Sequence, residues 1–182
     1  MPAEGRVRRG VAIVTGGRRG IGAATALSLG REGYSVAILD IEEDSHSQET
    51  VEALHAAGAD AMFFRANIAQ IDDFPNLIAG IQKQLGTISC LVNNAGRNVP
   101  VRGDLLETTP EVFDAVMDVN LRGTFFLTLQ VARSMLETGR EPRKNIFVVS
   151  SANTTMVSAE KAAYCLSKSG LRVLTALFAG RV

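Results

Sequence analysis

Residues 11–22 read V-A-I-V-T-G-G-R-R-G-I-G, an apolar run followed by glycines and then by a helical pattern. The run 11–14 is rich in β-branched residues, which is typical of a strand buried on both faces of a parallel sheet. The glycines allow a tight turn, and a helix beginning near Arg19 would direct its free N–H groups at a phosphate. The stretch predicts dinucleotide binding. Its spacing differs from G-x-G-x-x-G, so a turn without a ligand is the alternative.

The composition limits the classes of function. The length of 182 residues suits a single α/β domain over residues 1–182. The 19 basic residues are balanced by 19 acidic ones, which leaves no basic surface for nucleic acid. No apolar segment is long enough to cross a membrane, and Cys90 and Cys165 make neither a disulfide framework nor a metal cluster. We therefore expect a cytoplasmic protein with a small-molecule ligand and no metal, nucleic-acid or membrane partner.

Strand and helix patterns alternate five times along the chain. The predicted strands cover residues 11–14, 35–39, 61–65, 88–92 and 145–150, with helical patterns between and after them. This alternation predicts a doubly wound parallel sheet with helices on both faces, a three-layer α/β/α arrangement of the Rossmann-like kind. The last helical pattern continues to the end of the sequence without a closing strand.

Polar residues follow several of the predicted strands. Asp40 ends the second strand, where a carboxylate either accepts hydrogen bonds from ribose hydroxyls or forms a turn. Asn67 and Ile68 follow the third strand, and Asn67 either faces the cofactor crevice or caps the helix predicted for 71–85. The sequence N-N-A-G at 93–96 follows the fourth strand. Its amides brace neighbouring strands, line the nucleotide site or form a simple turn.

Two further patterns carry side chains suited to catalysis. A long helix is predicted to start at Pro110 and to end near Glu137, with Asn120 in its interior. Because Asn is a poor residue for a helix interior, its side chain either has a specific role or is solvated. After paired serines at 150–151, Tyr164 and Lys168 lie one helical turn apart on the same face.

With these elements placed, the chain resembles the short-chain dehydrogenase/reductase family over nearly its full length. T-G-G-R-R-G-I-G is similar to the T-G-x-x-x-G-x-G cofactor turn of that family, N-N-A-G to its sheet motif, and Y-C-L-S-K to its Y-x-x-x-K motif. The resemblance implies an NAD(P)-dependent oxidoreductase that interconverts an alcohol and a ketone or aldehyde by hydride transfer. The 3-oxoacyl-carrier reductases belong to the same family.

The resemblance also implies which residues form the site. The catalytic residues would be Asn120, Ser151, Tyr164 and Lys168, with Tyr164 as general acid and base. Ser151 is preferred to Ser150 because of its spacing from Tyr164. The dinucleotide would contact Gly16, Arg18, Arg19, Gly20, Ile21, Gly22, Asp40, Asn67, Ile68, Asn94, Ala95, Gly96, Tyr164 and Lys168.

Two signals for the choice of cofactor conflict. Asp40 would bind the ribose hydroxyls of NAD and repel the 2′-phosphate of NADP, whereas Arg18 and Arg19 resemble the phosphate-binding arginine of NADP users. A carboxylate at hydrogen-bond range opposes the phosphate directly, so we expect NAD, with NADP as the second possibility.

The chain departs from the family pattern in two places. Thr154 stands where the family usually has a glycine, three residues after the catalytic serine. Family members also run to about 250 residues, so we expect the last strands and the helical segment over the substrate to be absent. The alternatives to an active enzyme are a non-catalytic dinucleotide-binding regulatory protein and an inactive fragment.

The resemblance implies a homodimer or homotetramer. In this family the helix that holds Asn120 and the helix that follows Tyr164 pair with their copies in a neighbouring subunit. The apolar residues that we expect on these two faces are Phe125, Leu129, Ala132, Leu171, Leu174 and Phe178.

Overall fold

Five parallel strands form one sheet in the order β3-β2-β1-β4-β5. The computed structural model describes residues 9–139 and 141–181, and the remaining positions of the predicted domain lie outside the described residues. The strands are β1 (Val11–Thr15), β2 (Ser35–Asp40), β3 (Ala61–Arg65), β4 (Ile88–Asn93) and β5 (Asn145–Val148). The helices are α1 (Gly20–Arg31), α2 (Ser45–Ala56), α3 (Phe74–Leu85), α4 (Pro110–Met117), α5 (Thr124–Glu137) and α6 (Ala162–Ala179). The predicted doubly wound parallel fold is confirmed.

The central strand β1 is buried on both faces, as its apolar run predicts. Val11 and Ile13 belong to a cluster with residues of α3 and α5, such as Leu127. Ala12 and Val14 belong to a second cluster, which includes Leu54 of α2. Because alternate residues of β1 enter different clusters, a shift of one residue would exchange the two faces, and the register of the strand is strongly specified.

The strand order reverses next to β1, since β2 lies on one side of it and β4 on the other. The connections that leave β1 and β4 therefore separate at the carboxyl edge of the sheet and open a crevice between them. This topology alone selects the place where a ligand can enter.

A predicted helix start and a predicted strand end lie two or three residues from the observed ones. The helix predicted to start at Ile71 begins as a single 3₁₀ turn, and α3 proper starts at Phe74. Pro75 explains this difference, because it has no N–H to donate to the carbonyl of Ile71. The last strand ends at Val148 instead of Ser150, although the N–H of Val149 still donates to the carbonyl of Asn93.

The long helix predicted for 110–137 is interrupted by a wide π turn, Asp118–Gly123, which separates α4 from α5 and contains Asn120. Gly123 explains how closely this turn packs against the segment that follows β3. A Cβ atom on Gly123 would lie 2.0 Å from the carbonyl oxygen of Ile68, so only a glycine allows this approach. The π turn, which carries Asn120, is thereby held against the segment after β3.

We expect Gly123→Ala to lower the free energy of unfolding by about 1–3 kcal/mol, because the added methyl group overlaps a main-chain carbonyl. Gly80→Ala in α3 is the matched control, since a Cβ atom there meets nothing within 4 Å. That change should stabilise the protein by about 0.5–1 kcal/mol through helix propensity. Urea denaturation of both variants measures the difference, and equal effects would contradict the contact with Ile68.

Two features are absent from residues 9–139 and 141–181. None of their helices is long and apolar enough to span a membrane. No group of three or more His, Cys, Asp and Glu side chains in this part of the chain is placed to hold a metal ion. Cys90 and Cys165 are both buried and unpaired, and burial raises the pKa of the Cys90 thiol to about 12.

Candidate active site

A cleft of about 760 Å³ opens at the crevice predicted by the topology. Its lining contains all the residues predicted to bind the dinucleotide except Tyr164 and Lys168, namely Gly16, Arg18, Arg19, Gly20, Ile21, Gly22, Asp40, Asn67, Ile68, Asn94, Ala95 and Gly96. Sequence reasoning missed Ile41, Ala66, Ala115 and Val119, which also line it and carry no polar signal. The cleft is large enough for a cofactor-sized ligand.

The glycine turn after β1 leaves a free helix N-terminus in this cleft. Gly16 has φ +63°, and a Cβ atom on Gly22 would lie 2.0 Å from the carbonyl oxygen of Gly16. Arg19 is the N-cap residue of α1, and no side chain caps the helix there. The first turn of α1 also contains no acidic residue. The N–H groups at the start of α1 are therefore suited to bind a phosphate. A side chain at position 22 would collide with the carbonyl of Gly16 and prevent this turn from forming.

The N-N-A-G segment both braces the sheet and lines the cleft. Asn94 Nδ2 donates to the carbonyl oxygens of Thr15 and Gly16, each at 3.0 Å. The Thr15 hydroxyl accepts hydrogen bonds from the N–H groups of Asn94 and Ala95, also at 3.0 Å. Sequence reasoning missed Thr15, whose position as the last residue of β1 before the turn was the available signal. These bonds fix the two sides of the crevice relative to each other.

Asp40 and Arg18 form an ion pair at the rim of the cleft. Asp40 Oδ1 accepts a hydrogen bond from the N–H of Ile41 at 2.9 Å and lies 3.4 Å from Arg18 Nε. Asp40 therefore shapes the turn, and it also lines the cleft. Arg19 is exposed and has no ion pair within the described part of the chain.

Asn67 does not cap a helix, and that alternative was wrong. Its Oδ1 accepts a hydrogen bond from the N–H of Ala69 at 3.0 Å, and Asp73 is the N-cap residue of α3. The resulting turn places Asn67 and Ile68 in the wall of the cleft, as in the other alternative.

Asn120 is completely buried, so the alternative of a solvated side chain was wrong. Its Oδ1 accepts a hydrogen bond from the N–H of Arg97 at 2.8 Å, and its Nδ2 donates to the carbonyl of Arg97 at 2.9 Å. The same Nδ2 donates to Ser167 Oγ at 3.0 Å, and Ser167 donates to the carbonyl of Tyr164 at 2.8 Å. Asn120 therefore joins the segment after β4 to α6. Sequence reasoning missed Ser167, which stands directly before Lys168.

Lys168 and Tyr164 lie together on α6, as their spacing predicts. The Lys168 side chain is buried, and its Nζ donates to the carbonyl of Val149 at 3.0 Å. Nζ lies 5.8 Å from the centre of the Tyr164 ring. Burial lowers the pKa of the Lys168 ammonium. A Cβ atom on Gly96 would lie 3.6 Å from Nζ, so the ammonium lies next to this residue of the cleft lining.

Ser151 lies at the N-terminus of the 3₁₀ turn Ala152–Thr154 and is half-buried. Its hydroxyl oxygen accepts a hydrogen bond from the N–H of Asn153 at 3.2 Å. Thr154, which replaces the family's usual glycine, donates from its hydroxyl to the Ser151 carbonyl at 2.9 Å. The Thr154 side chain thus adds a hydrogen bond that stabilises the 3₁₀ turn next to Ser151.

Stability should depend on pH through Lys168, because its folded-state pKa is lowered. The cost of burying the ammonium is present below the folded-state pKa and is lost as the pH rises towards 10.5, the ordinary value. We therefore expect the free energy of unfolding of Lys168→Met, relative to that of the unaltered protein, to be highest near pH 7. This difference in the free energy of unfolding should shrink towards pH 10.5. Urea denaturation across this range measures the difference, and a constant difference would contradict the burial effect.

The chain belongs to the short chain dehydrogenase family, whose sequence model matches residues 10–181. It is 35% identical over 147 residues to versicolorin reductase 1 of Aspergillus parasiticus. The aligned region covers 81% of this chain and 53% of that protein. The chain therefore spans about half the length of this curated relative.

Solved structures agree with the fold. A 3-oxoacyl-[acyl-carrier protein] reductase from Brucella melitensis in complex with NAD superposes with a TM-score of 0.89 and 40% identity, over 96% of this chain and 68% of that one. A metagenomic short-chain oxidoreductase in complex with NADP gives a TM-score of 0.87 and 31% identity, over 96% and 77%. The resemblance inferred from the motifs is thereby confirmed.

Proposed function

We propose that this protein is an NAD(P)-dependent oxidoreductase that interconverts an alcohol and a ketone or aldehyde. The observation that carries the proposal is the buried Lys168 ammonium, which lies beside the Tyr164 ring and next to Gly96 in the lining of a cofactor-sized cleft. The relatives support it, since one was crystallised with NAD and another with NADP. The substrate class that we propose is a 3-oxoacyl thioester, after the Brucella melitensis reductase.

The residues of the cleft fit a dinucleotide. The free N-terminus of α1 would hold the pyrophosphate, and Asp40 would accept hydrogen bonds from the adenosine ribose hydroxyls. When bound, the nicotinamide supplies or accepts the hydride. Lys168 would hold the nicotinamide ribose from α6, next to Gly96.

The chain's own side chains would handle the proton. In the direction of reduction, negative charge develops on the carbonyl oxygen, and Tyr164 would donate its hydroxyl proton there. The Ser151 hydroxyl would donate a hydrogen bond to the same oxygen. Asn120, bonded to Ser167 and Arg97, would keep α6 and the segment after β4 in place during this step.

Tyr164→Phe should lower turnover by at least about a hundredfold, because it removes only the proton-donating hydroxyl. Dinucleotide affinity should change little. The measurement is oxidation of NADH with an acetoacetyl thioester, paired with calorimetric titration of NAD. An unaltered protein that binds NAD without turnover would favour the alternative of a regulatory protein, and full activity of the variant would refute the role of Tyr164.

Lys168→Ala should weaken NAD binding as well as turnover, since the same ammonium is proposed to hold the ribose. Lys161→Ala is a matched control, because Lys161 Nζ lies 5.9 Å from the centre of the same Tyr164 ring. If both variants lost NAD affinity equally, the effect would come from charge near the ring and not from a specific contact.

We also propose that the protein forms a homodimer or homotetramer in the cytoplasm. The surface that the sequence predicted for the contact between subunits needs a correction. Ala132, Leu171 and Leu174 are buried within the chain and offer little surface to a partner. An apolar groove between the π turn and α6 is the better candidate. Its lining includes Met117, Leu121, Phe125, Val173 and Leu177. An exposed apolar groove of this kind suits a contact between subunits, which in a symmetric dimer uses the same surface on both copies.

Leu177→Asp should shift the protein towards monomer, because it places a charge in this groove. The control is Leu106→Asp, at a residue that is 92% exposed and outside the groove. Light scattering over a concentration series measures the association. Equal behaviour of the two variants would show that subunits associate elsewhere.

A further inference from the structure

Arg18 in the glycine turn is surrounded by three carboxylates, one at the end of β2 and two from the segment that follows it. Its Nε lies 3.4 Å from Asp40 Oδ1, and its Nη2 lies 2.5 Å from Glu42 Oε2. Its Nη1 donates to Asp44 Oδ2. Only 11% of the Arg18 side chain is exposed. All three nitrogens of the guanidinium are therefore engaged with acidic groups of the same chain.

The main chain around this cluster is also held. The Thr50 hydroxyl donates to the carbonyl of Arg18 at 2.9 Å. Asp44 Oδ1 accepts a hydrogen bond from the N–H of Ser47 at 3.1 Å, which caps α2, while Asp44 Oδ2 binds Arg18. Of the three acids, Glu42 is the most exposed, at 59%. Arg18 is thus anchored from α2 and from the end of β2, so that its head group is not free to turn towards a new anion.

We propose that Glu42 and Asp44 are coenzyme-specificity residues, which act by holding Arg18 in this cluster. The inference rests on the proposed function and concerns the same cleft. A 2′-phosphate next to Asp40 would need a cation beside it, but Arg18, the arginine paired with Asp40, is already shared by three carboxylates. The cluster carries an excess of negative charge at this edge, which opposes the phosphate of NADP and leaves the neutral ribose hydroxyls of NAD unaffected.

The inference differs from a role for Asp40 alone. If Asp40 alone decided the coenzyme, removal of the other two charges would matter little, since neither Glu42 nor Asp44 lines the cleft. If the cluster decides it, release of Arg18 should turn a structural cation into a phosphate ligand. Arg18 lines the same cleft as Asp40, so its release would leave a cation in the cleft where the added phosphate would bind.

The test is calorimetric titration of NAD and NADP into three forms of the protein: unaltered, Glu42→Gln/Asp44→Asn, and Glu43→Gln/Glu52→Gln. The first pair preserves shape, and Asn at position 44 remains a good helix cap. The second pair removes the same charge from exposed residues that make no ion pair with Arg18 among the described residues. We expect NADP affinity to rise about tenfold in the first variant and to stay within about twofold in the second. NAD affinity should stay within about twofold in both.

Adding Arg18→Gln to the Glu42→Gln/Asp44→Asn variant separates release of the arginine from loss of charge. The gain in NADP affinity should disappear in this triple variant. A gain that persists, or one that the Glu43→Gln/Glu52→Gln control shares, would overturn the inference while NAD binding still supported the proposed function. If the unaltered protein bound neither dinucleotide, the proposed function would fail, and this inference would fail with it.

Discussion

The close approach of two glycines is the constraint on which the site depends. β1 is buried on both faces and ends at the point where the strand order reverses, so the chain must turn there without leaving the sheet edge. The turn brings Gly22 so close to the carbonyl of Gly16 that no Cβ atom would fit. Because α1 starts inside this turn, its N-terminus lies in the crevice instead of above it.

Hydrogen bonds between main chain and small polar side chains hold the remaining parts at fixed distances from this turn. Thr15 and Asn94 join the ends of β1 and β4. Asn120 joins the segment after β4 to Ser167 on α6. These side chains are buried or partly buried, where an unpaired polar group is costly, so each bond also specifies which segments lie side by side. The residues that would carry out the chemistry are thus positioned by a continuous network from the central strand to α6.

The sequence predicted the strands, their parallel arrangement and most of the cleft, because periodicity and strand-end polar residues are local signals. It did not predict the π turn at Asp118–Gly123, since the apolar pattern on both sides remains helical. Nor did it predict that Arg18 is engaged by acids 22 or more residues away, of which the nearest in sequence is Asp40. The role of Ser167 was equally hidden, because its partners lie on another helix and in the backbone of its own. Long-range pairing decides all three features.

The π turn restricts which insertions and deletions the α4–α5 segment can accept during evolution. Each residue of an α-helix rotates the chain by about 100°, so the residue added in the wide turn sets the angular phase of everything that follows. Removing a single residue there would restore a regular helix but rotate α5 by about that angle. Leu127, Val131 and Met135, now fully packed on the sheet, would then face sideways. The length of the turn therefore determines the packing of α5 as well as the position of Asn120. A deletion in the turn would have to be accompanied by an insertion nearby that restores the orientation of α5.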